Sequence, residues 1–131
     1  MWRERLFRKI CRECALEIAP DAMVYGDWWN PVLNEAASRQ LLQRQPRPTA
    51  VICCGDPAAI ALLNTARALN IKVPQQLSVV GYGDYSFSIF SDPPLTTVAQ
   101  PCRELGKLAA NRLLDRISDA SHNGDEIQRA T

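Results

Sequence analysis

Three Gly-Asp pairs, at 26–27, 55–56 and 83–84, are the residues of this sequence best suited to hold a ligand. Their spacings are 29 and 28 residues, and each pair follows a short run that reads as a strand. Glycine lets a backbone turn sharply or approach a ligand closely. Aspartate supplies acceptors for helix N–H groups or for ligand hydroxyls. Each pair also has a purely structural reading, a turn followed by a helix cap. Capping suits Asp56 best, because Pro57 follows it at the place of a first-turn proline. For Asp27 and Asp84 no clean helix start follows, so turn and ligand contact stay level. Trp28 and Trp29 come directly after the first pair, and an indole beside carboxylates either fills core or stacks on a sugar ring or base.

Other chemistries are poorly served. Cys54 stands at a strand end before a helix, where a thiolate is favoured, but the one histidine, His122, lies in the polar tail, and a nucleophile without a base is weak. Cys11 and Cys14 form half a zinc motif with no second pair. Converging carboxylates can hold Mg²⁺, yet no phosphate-cradling loop or nucleophile elbow accompanies them. The residues read as those of a binding protein that needs no metal or other cofactor. A small Mg-dependent enzyme using the acidic strand ends is the lesser alternative.

The elements that must place these residues follow an alternating pattern. Residues 2–18 space apolar Trp2, Leu6, Phe7, Ile10, Cys14 and Ile18 for one helix face, with Pro20 as the stop. Ala22–Tyr25 is a strand candidate. Asn30-Pro31 supplies a cap and a first-turn proline for a helix to about Arg44, with Leu33, Ala37 and Leu41 on its apolar face. Ala50–Cys54 is apolar without alternation, as in a strand buried on both faces. A helix using Ile60, Leu63, Ala66 and Leu69 closes at Asn70, a residue that tolerates the left-handed cap conformation. Leu77–Tyr82 and Thr96–Ala99 complete the strands. A last helix from Pro101 to about Ile117 turns Leu105, Leu108, Ala109, Leu113 and Ile117 inward.

Strands alternating with helices through short loops predict an α/β fold, a three-layer doubly wound parallel sheet with right-handed crossovers. In such sheets ligands bind at the carboxyl ends of the strands, where the Gly-Asp pairs fall. A doubly wound unit normally begins with a strand, and this chain begins with a helix. The 131 residues, 47% hydrophobic and 22% charged, suit one globular domain. A net charge of +1 argues against a broad DNA-facing surface. The basic cluster Arg3, Arg5, Arg8, Lys9 and Arg12 reads as a solvated helix face. An odd cysteine count of 5 and a first dozen residues too charged for a signal peptide predict a cytoplasmic protein without disulfides or membrane contact.

From Pro48 to Ile117 the sequence resembles the C-terminal effector-binding subdomain of the lactose/galactose repressor (LacI/GalR) family of bacterial transcription regulators. The resemblance rests on Pro48-Thr49-Ala50-Val51-Ile52, Gly55-Asp56, Leu69–Pro74, Leu77–Tyr82, Pro93–Val98 with Gln100-Pro101, Glu104-Leu105-Gly106 and Leu113–Ile117, in that order. Residues 1–47 resemble the same subdomain more weakly, with Arg3–Phe7 in place of the family's Arg-x-x-Gly-Phe motif. Two departures stand out: Leu6 replaces that motif's glycine, and Gly81-Tyr82-Gly83-Asp84 replaces Gly-Tyr-Asp-Asp.

The resemblance implies a periplasmic-binding-protein-like half, partial over 1–117 and lacking its first strand, followed by a polar tail over 118–131. It implies effector contacts from Arg3, Trp28, Gly55, Asp56 and Asp84. A homodimer interface is implied at Tyr85, Phe87, Ile89 and Phe90. The implied partners are a sugar, sugar acid or nucleobase, a second copy of the chain, and operator DNA through an N-terminal helix-turn-helix domain not seen in this sequence. With half the cleft absent, the isolated chain is expected to bind an effector weakly. A fragment of a periplasmic-type sugar-binding protein is the alternative within the same fold.

Overall fold

The computed structural model describes residues 2–19, 21–28 and 30–118. It divides into two units, residues 1–98 and 99–131. In the first lie α1 (Trp2–Glu13), α2 (Pro31–Leu42), β1 (Ala50–Ile52), α3 (Asp56–Ala68), β2 (Ser78–Gly83) and a 3₁₀ turn (Ser88–Phe90). Strand β3 (Thr96–Ala99) leads into α4 (Cys102–Ser118). His122, Trp29 and the tail from 119 onward lie outside the described residues.

The α/β expectation holds. β1 pairs with β2 in parallel, Val51 opposite Val79, with α3 as the crossover between them. The sheet order is β1-β2-β3. Leu42 of α2, Ala59, Leu62, Leu63 and Ala66 of α3, and Leu77 and Val79 form the buried core on one face of the sheet. Each leucine removed from water there contributes roughly 1.5–3 kcal/mol.

Several local expectations are corrected. Ala50–Cys54 is not buried on both faces: Ala50 and Ile52 are exposed while Val51 is half-buried. The period is the ordinary two of a strand, because Val51 packs against the core formed with α2 and α3 while its neighbours Ala50 and Ile52 point away from it. Ala22–Tyr25 forms no strand; the neighbouring backbone makes only the isolated bridge Asp27–Asn30. The apolar face of α2 is also turned. Asn34, Ser38, Leu41 and Leu42 are buried and Leu33 is half exposed. Polar residues can take the inner positions because the Ser38 hydroxyl donates to the Asn34 carbonyl at 2.7 Å and Asn34 Oδ1 accepts from the Asp27 amide at 3.1 Å.

Helix α1 stops at Glu13, well before Pro20. Ala15 takes a left-handed φ of 55°, and Leu16 N–H returns to the Cys11 carbonyl at 2.8 Å, which closes the helix as a left-handed cap does. Leu6 and Ile10 of its expected apolar face stay nearly half exposed, while Cys11 is buried. In the second unit, α4 buries none of its side chains, so the expected inward stripe is exposed at Leu105, Leu113 and Ile117. Two end signals are borne out. Asn30 caps α2, accepting from the Val32 and Leu33 amides ahead of Pro31. Asn70 takes φ 56° after α3, with Ile71 N–H bonded to the Ala66 carbonyl.

No helix among the described residues is long and apolar enough to cross a membrane.

Candidate functional site

The carboxyl ends of β1 and β2 carry the chemistry. After β1 the chain passes through exposed Cys54 into Gly55, whose extended backbone (φ −170°, ψ 154°) forms the N-cap of α3. A side chain at 55 would collide with the Trp28 ring, so only glycine lets the indole lie on this turn. The second Gly-Asp pair thereby seats the tryptophan that follows the first.

Asp56 is not the cap. It opens the helix at the first-turn position and is completely buried. Its carboxylate turns toward the loop after β2. Oδ2 accepts from the Tyr85 amide at 2.9 Å and the Ser88 hydroxyl at 2.6 Å, and Oδ1 accepts from the Thr97 hydroxyl at 2.5 Å. Burial alone raises the pKa of this carboxyl. The hydrogen bonds from Ser88, Thr97 and the backbone amides of Tyr85 and Tyr82 outweigh burial, so the group titrates below the usual carboxylate range. The positive end of α3 favours the same charge. Asp56 therefore binds the protein to itself, contrary to the capping expectation, and its oxygens are taken up by internal donors.

At the end of β2 two consecutive residues leave the usual backbone regions, Gly83 at φ 132° and Asp84 at φ 53°. A side chain at 83 would meet the Tyr85 ring at 2.5 Å. The Asp84 side chain is exposed, and its amide points to Thr97 Oγ1 at 3.4 Å. Tyr85 stands edge-on to Trp28, centroids 6.2 Å apart at 67°, and lies parallel to Phe87 at 5.3 Å. Arg3 reaches the same end of the sheet from α1, its guanidinium carbon 5.1 Å from the centre of the Tyr82 ring. Such a cation over an aromatic face is worth roughly 0.5–1 kcal/mol at an exposed site.

The structure thus gathers Trp28, Gly55, Tyr85 and Phe87 into one aromatic group, with Asp84 beside it and Asp56 beneath. Arg3 is placed with Tyr82. Asp27 stays exposed at the turn held by Asn34. The four residues expected to form an interface divide. Tyr85 packs edge-on to Trp28 and Phe87 stacks on Tyr85 while staying 45% exposed, and Ile89 and Phe90 are 65% and 82% exposed.

Ser88 and Thr97 were not among the residues singled out from sequence. They lie 32 and 41 positions from Asp56, and nothing in local spacing connects them. A groove of about 520 Å³ opens between α2 and α3 beside Trp28 and Phe87. Its walls are helix side chains, and Arg3, Tyr82 and Asp84 do not line it. The groups able to recognise a polar ligand lie at the strand ends instead.

Burial pushes the Cys53 thiol up to about 12, with Cys54 and Asp56 adding to the shift, so it stays protonated and unreactive at neutral pH. Among the described residues no group of His, Cys, Asp and Glu is arranged to hold a metal ion. Aromatic faces, one exposed carboxylate and a guanidinium can stack against and hydrogen-bond a small polar ring.

Residues 1–131 match the periplasmic binding protein-like domain. The chain is 37% identical over 122 residues to the HTH-type transcriptional repressor PurR of Photobacterium profundum, an alignment covering 92% of this chain and 36% of that repressor. It is 38% identical over 126 residues to the repressor of the same name from Serratia proteamaculans, covering 96% and 37%. Among solved structures, the transcriptional regulator CelR–cellobiose complex superposes with a TM-score of 0.77 at 34% identity, over 86% of this chain and 34% of that one. A LacI family regulator from Lactobacillus casei with bound sucrose gives 0.77 at 28% identity, over 98% and 46%. The chain spans a little over a third of the curated relatives' length. With an α/β fold and a family match over its whole length, the chain belongs to the periplasmic binding protein-like domain family.

Proposed function

We propose that this chain is the effector-binding part of a LacI/GalR-type transcriptional regulator, taking a sugar, sugar acid or nucleobase at the carboxyl ends of β1 and β2. The observation that carries this reading is the Trp28 ring seated on Gly55 with Tyr85 edge-on and Asp84 exposed beside them. Trp28 offers the stacking face, Asp84 the acceptors and Arg3 the donors. Asp56 contributes from beneath, through its hold on Tyr85 and Thr97. The relatives solved with cellobiose and with sucrose favour a sugar. Operator DNA belongs, in this reading, to the helix-turn-helix region of the whole regulator, and the site itself performs no catalysis.

Thermal shift with cellobiose, sucrose, sugar acids and nucleobases tests the reading. The chain spans a little over a third of its relatives' length, so affinity on the order of millimolar is expected, about −4 kcal/mol. Ligand at ten times Kd then stabilises the chain by about 1.4 kcal/mol. Trp28→Ala is expected to weaken that ligand about tenfold, the scale of one lost aromatic contact. Gly55→Ala, which displaces the indole, is expected to do much the same. No stabilisation by any of these ligands, or full affinity in Trp28→Ala, would overturn the assignment.

Ile89 and Phe90 supply the second contact we propose, an isologous interface between two copies, with Tyr85 and Phe87 at its inner margin. Large apolar side chains exposed side by side mark such surfaces. Sedimentation of the wild-type chain is expected to show a dimer, and Phe90→Glu to shift it to monomer without loss of fold. A monomeric wild type at high concentration excludes this interface.

A further inference from the structure

We infer that Asp56 is a positioning residue for the ligand-facing turn, acting through Tyr85 and Thr97 without itself touching a ligand. The inference rests on the strand-end site proposed above and assigns the part of the chain that shapes it. Four segments converge on this one carboxylate: the start of α3, the Gly81 position of β2, the turn at 84–91, and β3 at Thr97. A side chain at Gly81 would overlap Oδ1, so β2 leaves the space the carboxylate occupies.

The bonds are distributed in a telling way. Oδ2 takes the Tyr85 amide and the Ser88 hydroxyl, fixing both sides of the turn that carries Phe87. The Ser88 carbonyl in turn accepts from the Ser91 hydroxyl and amide and from the Leu95 amide, tying the 3₁₀ turn to the chain entering β3. Oδ1 takes Thr97, whose own oxygen faces the Asp84 amide. Asp84 and Tyr85, the acceptor and the aromatic edge of the proposed site, are therefore both held by backbone contacts that lead to Asp56. The three donors are neutral, so the carboxylate is not half of an ion pair. A full negative charge accepts three hydrogen bonds more strongly than a neutral amide could. An Asn side chain would also present a donor where Thr97 now donates.

The test is independent of ligand identity. Ser88→Ala and Thr97→Val each remove one bond to the carboxylate and leave every aromatic residue in place. Proton NMR of the full chain reads the Tyr85 ring, whose parallel stack on Phe87 displaces its resonances from those of free tyrosine. In both variants those resonances are expected to move toward the free values. The Tyr85 amide is expected to exchange at least tenfold faster, while the amides of Leu62 and Val79 keep wild-type rates. Thr97→Ser, which retains the hydroxyl, is expected to restore the wild-type spectrum. Unchanged Tyr85 signals in both variants overturn the inference, as does equal acceleration at Tyr85, Leu62 and Val79, the mark of a general loss of stability.

Cellobiose titration of the same proteins separates this inference from the site assignment. A tenfold weaker response in Ser88→Ala and Thr97→Val supports both. A wild-type chain that ignores cellobiose while Tyr85 loosens in the variants supports the positioning role and counts against a sugar ligand.

Discussion

Asp56→Ala is expected to destabilise the first unit by about 3–5 kcal/mol, enough to threaten a domain whose whole stability is on the order of 5–15 kcal/mol. The substitution strands three donors, the Tyr85 amide and the Ser88 and Thr97 hydroxyls, around a hole where a carboxylate stood. An unsatisfied buried donor costs roughly 1–3 kcal/mol. The hydroxyls can turn toward other acceptors, but the amide cannot, so the loss falls below the full sum. Urea unfolding followed by far-UV circular dichroism measures it. A loss below about 1 kcal/mol, the scale of an ordinary single substitution, would show that the carboxylate is not holding the turn.

The same site gives the fold an acid limit whose sign is fixed. Hydrogen bonds hold the folded pKa of Asp56 below its unfolded value of about 3.9. Its contribution to stability is therefore complete above the unfolded pKa and is lost as pH falls through the folded one. Wild type should lose stability on acidification below about pH 4 more steeply than Asp56→Ala, which has no such charge to protonate. Parallel acid limbs in the two proteins would place the pH dependence elsewhere.

What the sequence could reveal followed the range of the interaction concerned. The Asn30 cap and the left-handed Asn70 are decided within four residues, and both signals were legible. The α/β alternation was legible because βαβ units impose a repeated local rhythm. The face of α2 was not, because Asn34 and Ser38 become acceptable inside only when Asp27 and the helix's own carbonyl satisfy them. The strand at 22–25 failed for a related reason: an apolar run becomes a strand only where a neighbour offers a ladder. Asp56 shows the limit most clearly. Its neighbour Pro57 suggests a cap, but partners 29, 32 and 41 residues away claim its oxygens. The Gly-Asp spacing placed Asp56 at the end of a strand, where the structure has it, but neither the cap its neighbour suggests nor the effector contact the resemblance implies foresaw that its bonds go to the scaffold.

Leu62→Ala and Leu77→Ala carry the second large expected effect, about 2–5 kcal/mol each, with little change in the arrangement of the strand-end site. Leu62 is 2% exposed and Leu77 is fully buried, and both belong to the apolar cluster between α3 and β2. Truncation removes their transfer energy and leaves a cavity that a packed helix and strand can only partly close. Leu62→Met, which roughly conserves volume, is expected to cost under about 1.5 kcal/mol. Leu114→Ala should lie within about 0.5 kcal/mol of wild type, since that leucine is 60% exposed. Neither Leu62 nor Leu77 is among the donors to Asp56, so losses from Leu62→Ala and Asp56→Ala should add within roughly 0.5 kcal/mol. The two substitutions then separate what keeps the chain folded from what shapes its turn. The leucine variants should keep the wild-type Tyr85 resonances while their midpoint in urea falls, whereas loosening Tyr85 from the core leucines would mean that the aromatic group depends on helix packing as well as on the buried carboxylate.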